Sequence, residues 1–297
     1  IYKNGNIDLG GTYLTTTEKS KTVTFGGNGT KYTIISPKNG DGYYDTLTAV
    51  FAPRRSLSAV TLSLVQNNSA KVSRSVNVIH HKYGKYEYPL TNTTDLTNAL
   101  KALPDGEYTF RMAGTFNDGT KTATQNLDFP ITVTIDNTAP LIKSVEVEGT
   151  TLKVTAQDAN YVRSIKVDYT DADGNAQSAS KSFDCTKTGE TLTVTLTDTD
   201  ITDLKATAVD YAYNSGTIAD NTVMTAKSGD KISTMFRNTF TASEGVTYKT
   251  ATGTVTSGGI TKGFTGTLGN EVTGSVIINI IIEGLCDPSA TADFRLE

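Results

Sequence analysis

The segment at residues 129–147, FPITVTIDNTAPLIKSVEV, constrains the fold more than any other part of the sequence. Its first half alternates apolar and polar residues, which predicts a strand with one buried face. The turn-forming sequence Asp-Asn-Thr-Ala-Pro follows at 136–140, and its proline cannot donate a hydrogen bond to a strand ladder. Alternation resumes at Ile142, Val145 and Val147. A strand, a proline joint and a second strand predict a junction between two β domains.

Length and charge set further limits. The chain has 297 residues, enough for two or three domains of about 100 residues each. Threonine, tyrosine and glycine are abundant, and this composition favours pleated strands joined by turns. The net charge of −4 gives no electrostatic reason to expect a nucleic-acid partner. No run of about 18 apolar residues occurs, so we predict no membrane span in this segment.

The predicted fold class is all-β, with tandem immunoglobulin- or fibronectin-III-like β-sandwiches and a third, mostly β C-terminal domain. The first sandwich is assigned to residues 1–138 and contains one predicted helix, TDLTNALKAL, at 94–103. Thr93 or Thr94 would be its N-cap. Its apolar side is formed by three leucines, Leu96, Leu100 and Leu103.

The second sandwich is assigned to residues 139–220, where the spacing of apolar residues is regular. About seven short strands in some 80 residues indicate an immunoglobulin-like sandwich. The third domain is assigned to residues 221–297 and reads mainly as β. Near its start, helical spacing predicts a helix capped by Asp230, with an apolar side of Ile232, Met235, Phe236 and Phe240.

Several short motifs in the first two domains resemble a known family. The segments are SPKNGDGYYDTLTAVFAPRRSLSAVTLSLV, LPDGEYTFRM and FPITVTIDNTAP. They are similar to the first fibronectin-III-like domain that follows the catalytic domain in cell-envelope subtilisin-family peptidases of the lactocepin and C5a peptidase type. The matching residues are Ser36, Pro37, Asp41, Gly42, Asp45, Phe51, Arg54 or Arg55, Asp105, Gly106, Tyr108 and Pro140.

The resemblance covers about residues 30–218, with AVDYAYNSG at 208–216 similar to the end of the next module. The chain departs from the family pattern by an additional Lys38 and by the helix-like segment, which replaces a Trp-containing one. The resemblance implies a secreted accessory region on a bacterial cell surface. Its implied partners are the catalytic domain of the same parent chain and protein substrates or host proteins.

The sequence itself contains no recognisable catalytic triad, and we predict no catalytic residues and no enzyme activity for this segment. Its only histidines, His80 and His81, are adjacent on a predicted strand, where neighbouring side chains point to opposite faces. No Gly-Thr-Ser-x-Ala nucleophile motif occurs. The chain begins at Ile1 without a signal peptide, which indicates a processed protein or part of a longer one.

No organic cofactor is predicted, but one turn offers ligands for a metal ion. The side chains of Asn39, Asp41 and Asp45, with the Tyr43 carbonyl between them, offer oxygens at alternate positions of a glycine-rich segment, and calcium prefers such oxygens. The alternative, which we favour, is an Asx-type turn in which these side chains accept local backbone amides. Asp158 and Asp210 end strands and are expected to bond loop amides. A further acidic loop contains Asp198, Asp200 and Asp203.

The remaining polar and aromatic features have ordinary explanations. A modest basic patch is predicted from Arg54, Arg55, Lys71, Arg74 and Lys82. Tyr83, Tyr86 and Tyr88 could stack on a glycan, although packing roles are favoured. A disulfide between Cys185 and Cys286 is possible in a secreted protein, but two thiols in different domains are the simpler expectation.

Two main functional hypotheses follow. The first is a non-catalytic accessory and spacer region of a cell-surface subtilisin-like serine peptidase, with a possible part in substrate recognition. The second is a bacterial surface adhesin or stalk made of immunoglobulin-like modules with no peptidase attached. A carbohydrate-binding module is a weaker third. All three place the chain outside the cell.

Overall fold

A computed structural model describes residues 13–25, 32–53, 56–76, 85–117, 122–198, 201–225, 233–241, 243, 245–272, 274–283, 285 and 290–297. The chain divides into two compact units. The first unit contains residues 1–138 together with 212–214. The second unit contains residues 139–211 and 215–297.

The described residues form one helix and 21 strands. In the first unit the elements are β1 Tyr13–Glu18, β2 Lys21–Thr24, β3 Ile34–Ile35, β4 Thr48–Phe51, β5 Ser58–Gln66, β6 Ser69–Val76, β7 Tyr86–Pro89, α1 Thr94–Lys101, β8 Gly106–Asn117 and β9 Thr122–Ile135. In the second unit they are β10 Leu141–Glu148, β11 Thr151–Gln157, β12 Val162–Thr170, β13 Ala176–Ser182, β14 Gly189–Thr195, β15 Thr202–Asp210, β16 Ser215–Thr225, β17 Ser233–Thr241, β18 Tyr248–Ser257, β19 Ile260–Val272, β20 Ser275–Glu283 and β21 Thr291–Leu296.

The first unit is a sandwich of two sheets. One sheet has the strand order β2-β1-β4-β7, and the other has the order β3-β9-β8-β5-β6. Alternation along each strand directs apolar side chains into one core. The largest fully buried side chains of this core include Phe51, Tyr108 and Phe110. In the strand before the proline joint, Phe129, Val133 and Ile135 are buried, as their alternation predicts.

Helix α1 confirms the helix predicted in the first half of the chain. Thr93 has an extended backbone, with φ of −133° and ψ of 159°, and its side chain accepts the N–H of Leu96. Thr93 is therefore the N-cap, and Thr94 is the first helical residue. Leu100 is the buried residue of the helix, and Leu96 and Leu103 pack against the same core.

Strands β10 to β16 of the second unit form a seven-stranded sandwich. Strands β13, β12, β15 and the start of β16 make one sheet, and β10, β11 and β14 make the other. Strand β16 then continues in parallel beside β10. The buried core residues follow the predicted alternation and include Val145, Val147, Leu152, Val154, Ile165, Val167, Leu192, Ala206 and Ala208. The structure thus confirms the immunoglobulin-like sandwich expected here.

The C-terminal part of the second unit is also β in the residues described. Strand β17 joins β16 to β20, and β18 lies between β19 and β21. A small core between these strands contains Phe236, Ala290 and Phe294. The helix predicted from the spacing of Met235, Phe236 and Phe240 is wrong, because these residues lie in β17. Position 232 and its proposed cap, Asp230, lie outside the described residues.

The all-β fold class is therefore confirmed. In the described part of the chain, no helix combines the length and apolarity needed to cross a membrane. The break between the two units falls between residues 138 and 139. The further boundary near residue 220 remains a prediction, since residues 215–297 form one compact unit with residues 139–211.

Candidate functional site

The predicted calcium ligands lie in a tight turn of the first unit, between β3 and β4. Gly40 and Gly42 have φ of 63° and 90°, conformations that favour glycine. Tyr44 also has a positive φ of 54°. The turn is closed by Ser36, whose backbone N–H donates to the Tyr44 carbonyl at 2.9 Å. These contacts bring the three candidate ligands into one short loop.

Each candidate ligand accepts a backbone amide from the same turn. Asn39 Oδ1 accepts the N–H of Asp41 at 3.4 Å, and Asp41 Oδ1 accepts that of Tyr43 at 2.8 Å. Asp45 Oδ2 accepts the N–H of Gly42 at 2.8 Å. This is the hydrogen bonding of an Asx-type turn. Calcium needs about six to eight oxygen ligands, and its binding here remains a prediction.

Asp45 differs electrostatically from an ordinary surface carboxylate. Its Oδ1 atom is buried and has no hydrogen-bond donor among the described residues. Burial raises the pKa of Asp45, and its effect is larger than that of the hydrogen bond from the Gly42 amide, which lowers the pKa. The nearby charge of Asp41 also raises the pKa, whereas the charge of Lys101 lowers it. The folded protein therefore takes up a proton on this carboxylate more readily than an unfolded chain does.

Asn39 is also held by residues from much later in the sequence. Residues 212–214 belong to the first unit. The Nδ2 group of Asn39 lies 3.4 Å from Asn214 Oδ1, and Asn214 is buried. Asn214 Nδ2 donates to the Asp136 carbonyl at 2.8 Å, and its Oδ1 accepts the hydroxyl of Ser36. Asn214 is thus a structural link between the turn and the end of β9.

Tyr213 packs on the same turn through its ring and bonds to the end of β1 through its hydroxyl. The ring stacks on Tyr43 with the centroids 4.3 Å apart, and the hydroxyl donates to Glu18 Oε1 at 2.8 Å. From the sequence alone, this segment resembles only the end of the second module. No local pattern indicates that Tyr213 and Asn214 complete the first unit, because their partners lie far earlier in the chain.

A second acidic pair lies within the second unit. Asp158 and Asp210 are both buried, and their nearest carboxylate oxygens lie within 4.8 Å of each other. Asp158 Oδ1 accepts the N–H of Asn160 at 2.6 Å, the kind of loop-amide bond expected from the sequence. Arg163 donates to the backbone carbonyls of Asp210 and Tyr211 at 3.3 and 2.8 Å. Two buried carboxylates this close favour sharing a proton or a cation.

Other predicted site residues are only partly described. Asp198 is exposed, whereas Asp200 and the side chain of Asp203 lie outside the described residues. Six further residues singled out in the sequence also lie outside the described residues: His80, His81, Arg54, Arg55, Lys82 and Tyr83. Cys185 is buried and Cys286 is not described, so their pairing stays a prediction.

The described tyrosines of the proposed glycan platform pack into the first unit. Tyr86 and Tyr88 lie on one face of β7 with ring centroids 5.8 Å apart. Both rings stack near Phe51, at 6.1 and 5.9 Å. The guanidinium of Arg74 lies 5.7 Å from the centroid of the Tyr88 ring and donates to the Pro89 carbonyl. These contacts favour packing over glycan stacking.

An open groove of about 460 Å³ lies in the second unit beside β15 and β17. Asp168, Lys205 and Arg237 contribute charged groups to it. Asp168 already pairs with Lys166 at 2.8 Å, and this hydrogen bond lowers the pKa of the Asp168 carboxyl. A paired carboxylate whose pKa is lowered is poorly suited to act as a general base near neutral pH.

Comparisons with known proteins give little guidance. No protein-family model matches the chain, and no curated protein matches it. Among solved structures it is similar to a tetra-tandem repeat from the extending region of a large adhesion protein, at 15% identity and a TM-score of 0.23, covering 88% of this chain and 71% of the other. It is also similar to the FN1–FN3 domains of chicken CNTN1, at 14% identity and a TM-score of 0.23, covering 67% and 70%. These TM-scores are too low for either protein to indicate a function for this chain.

Proposed function

We propose that this chain is a non-catalytic spacer of an extracellular protein, made of β-sandwich modules in series. The observation that carries the proposal is that each unit closes a hydrophobic core of its own on either side of the proline joint. Modules with separate cores hold the rest of a protein at a distance because each resists unfolding without its neighbour. No bond needs to be made or broken for this role.

The motif residues support the proposal because they build the modules. Asp105 Oδ1 accepts the N–H of Asn137 at 2.8 Å and its Oδ2 accepts the hydroxyl of Thr138 at 2.5 Å. The buried Tyr108 donates its hydroxyl to the Pro104 carbonyl at 2.8 Å. These contacts hold the start of β8 against the residues that follow β9. They would be equally useful in any module of this type, with or without a peptidase.

A single-molecule force experiment tests the spacer role. Pulled from its ends, the full chain should unfold in discrete steps, because each sandwich core breaks cooperatively. Release of the first 138 residues should add about 45–50 nm of contour length, at about 3.3–3.6 Å per residue. The same chain in concentrated urea is the control and should extend smoothly. Smooth extension in native buffer, or hydrolysis of a protein substrate by the purified chain, would overturn the proposal.

The more specific proposal is an accessory region of a subtilisin-like peptidase, as the family resemblance implies. It is tested in a parent protein that contains this segment. Deleting the segment should reduce cleavage of large protein substrates more than cleavage of short peptides. Replacing it by an unrelated sandwich pair of equal length separates spacing from recognition: a pure spacer is restored by the replacement, and a recognition surface is not.

The alternative proposal is an adhesin or stalk without a peptidase. The two differ in what precedes the segment in the gene. A reading frame encoding Asp, His and Ser triad motifs upstream supports the accessory role, and further β modules support the stalk. The spacer role of the chain itself is common to both.

A further inference from the structure

Among the described residues, strand β20 lies at the edge of its sheet. It pairs with β17 over nine residues without a register shift, and β17 is its one strand partner among the described residues. The other side of β20 therefore presents backbone N–H and C=O groups to any further strand. Residues 276–282 contain no charged residue and no proline, the features that usually protect an edge from pairing.

Both faces of β20 carry isoleucine side chains. On the inner face, Val276, Ile278, Ile280 and Ile282 are only half buried, and the last three pack on the small core of Phe236 and Phe294. On the outer face, Ile277 and Ile281 are 51% and 54% exposed, with the exposed Asn279 between them. The small core is therefore incompletely covered along this edge.

The central five residues of this strand read the same in both directions. Residues 277–281 are Ile-Ile-Asn-Ile-Ile, with Val276 and Ile282 flanking them. An antiparallel pair of identical strands has a two-fold axis, so a palindromic strand meets its own sequence. Centred on Asn279, the pairing sets Ile277 opposite Ile281 of the second copy and Asn279 opposite its equivalent. Every apolar side chain then meets an apolar partner on the same face.

We propose that β20 is a self-association surface, through which two copies of this chain pair edge to edge as antiparallel strands. The added strand continues the existing ladder and extends the inner apolar face over the small core. The two asparagine side chains meet on the axis and can hydrogen-bond to each other. A two-fold contact uses both open edges and closes the assembly at a dimer.

The contact is expected to be weak and reversible. Nine residues at about 3.4 Å each give an interface about 30 Å long and a single strand wide. This is smaller than a standard stable interface, which buries about 1,600 Å² in total. Such a contact matters most when copies are concentrated, for example when many are displayed side by side on one surface.

Two double variants of the full chain test the pairing and its register. Ile277→Lys with Ile281→Lys sets lysine opposite lysine on both sides of the two-fold axis and should weaken dimerisation at least about tenfold. Ile277→Lys with Ile281→Glu sets lysine opposite glutamate and should restore it. Both positions are exposed, so both variants should fold. Within one strand these positions are about 14 Å apart, which limits their direct interaction.

The readout is sedimentation velocity across protein concentrations up to several hundred micromolar, with circular dichroism to verify folding. A wild-type chain that stays monomeric overturns the proposal. Equal dimerisation of the wild type and the double-lysine variant places the contact elsewhere and also overturns it. Failure of the lysine–glutamate variant to recover indicates another register or another partner strand, and rejects the palindromic pairing.

Disulfide trapping provides an independent measurement. In a Cys286→Ser background, Asn279→Cys places two thiols opposite each other at the axis, so mild oxidation should produce a covalent dimer. Ser275→Cys is the matched control on the same strand, and its two copies would be about 27 Å apart. Equal cross-linking of both variants would indicate random collision and count against the proposed pairing.

Discussion

At Gly216, a Cβ atom would lie 1.9 Å from the backbone carbonyl oxygen of Pro140, within the second unit. Backbone cannot retreat as a flexible side chain can, so Gly216→Ala should lower the free energy of unfolding by about 1–3 kcal/mol. Gly266→Ala is the control, because its Cβ would meet no atom within 4 Å. Urea denaturation compares the two. Equal stabilities of the two variants would contradict the close approach.

A residue-scale pH effect is expected at Asp45. Burial raises its pKa above the ordinary 3.8, so the folded state binds this proton more tightly than the unfolded state. The stabilisation that comes from binding this proton is fully present below pH 3.8, and it is lost as pH rises through the pKa of the folded state. Asp45→Asn removes this dependence, so the variant should gain stability relative to wild type as pH rises above 3.8. Urea midpoints at several pH values measure the difference, and a constant difference would contradict the expectation.

The same variant decides whether the turn binds calcium. A bound ion would stabilise the folded state, and the melting temperature would rise with the logarithm of the calcium concentration once that exceeds Kd. The hydrogen bonds of Asn39 and Asp41 favour a turn that is complete without metal, and we expect melting to be unchanged by millimolar calcium or by chelator. A calcium-dependent increase that Asp45→Asn abolishes would instead establish the site.

The residues around this turn also show which contacts can be predicted from local sequence and which cannot. The pairing of Asn39, Asp41 and Asp45 with nearby amides was predictable because each donor lies within three positions of its acceptor. The roles of Tyr213 and Asn214 were not predictable in this way. Their hydrogen bonds and stacking depend on which distant strands the fold brings together, and a single sequence contains no periodic signal for that.

At the scale of elements, the cap of helix α1 gives a direct prediction. The side-chain oxygen of Thr93 accepts the N–H of Leu96 at 3.3 Å and satisfies one of the unpaired amides of the first turn. Thr93→Ala should therefore cost about 0.5–2 kcal/mol. Thr94→Ala, one residue later and exposed, should change stability by less than about 0.5 kcal/mol. A larger effect at Thr94 would mean that the cap is misassigned.

Helix α1 and strand β17 show why element type was predictable in one case and not in the other. In α1, leucine spacing, a capping threonine and a following Pro-Asp-Gly sequence all indicate a helix. In β17, the spacing of Met235, Phe236 and Phe240 also suggested one. The strand forms because β17 pairs with β20 over nine residues and also with β16, and tertiary pairing overrides a short periodic pattern.

At the scale of the whole molecule, the sequence predicted the fold class more reliably than it predicted which residues belong to which unit. Alternating strands and a proline joint were sufficient to predict sandwiches that meet near residue 138. These patterns could not show that residues 212–214 belong to the first unit, because those residues lie between β15 and β16 of the second unit in the sequence. Contacts across a long sequence separation, among them the hydrogen bonds of Asn214, accompany that membership.

This membership leads to a prediction about fragments. A fragment of residues 1–138 lacks Tyr213 and Asn214, leaving the Asp136 carbonyl and the Ser36 hydroxyl without the partner they have in the full chain. Loss of buried hydrogen bonds should reduce the unfolding free energy of the fragment by about 1–3 kcal/mol relative to the first unit in the full chain. Hydrogen exchange of the amides in β5 and β8 measures the unfolding free energy of the fragment and that of the first unit in the full chain.

The matched control is the full chain carrying Tyr213→Ala and Asn214→Ala. If these two side chains complete the first unit, the variant should lose the same protection in β5 and β8 as the fragment does. Arg237→Ala, on β17 of the second unit, should leave that protection unchanged. A fragment as protected as the wild-type chain would show that residues 212–214 add nothing to the unit, and that its stability depends on the sandwich core of residues 13–135 alone.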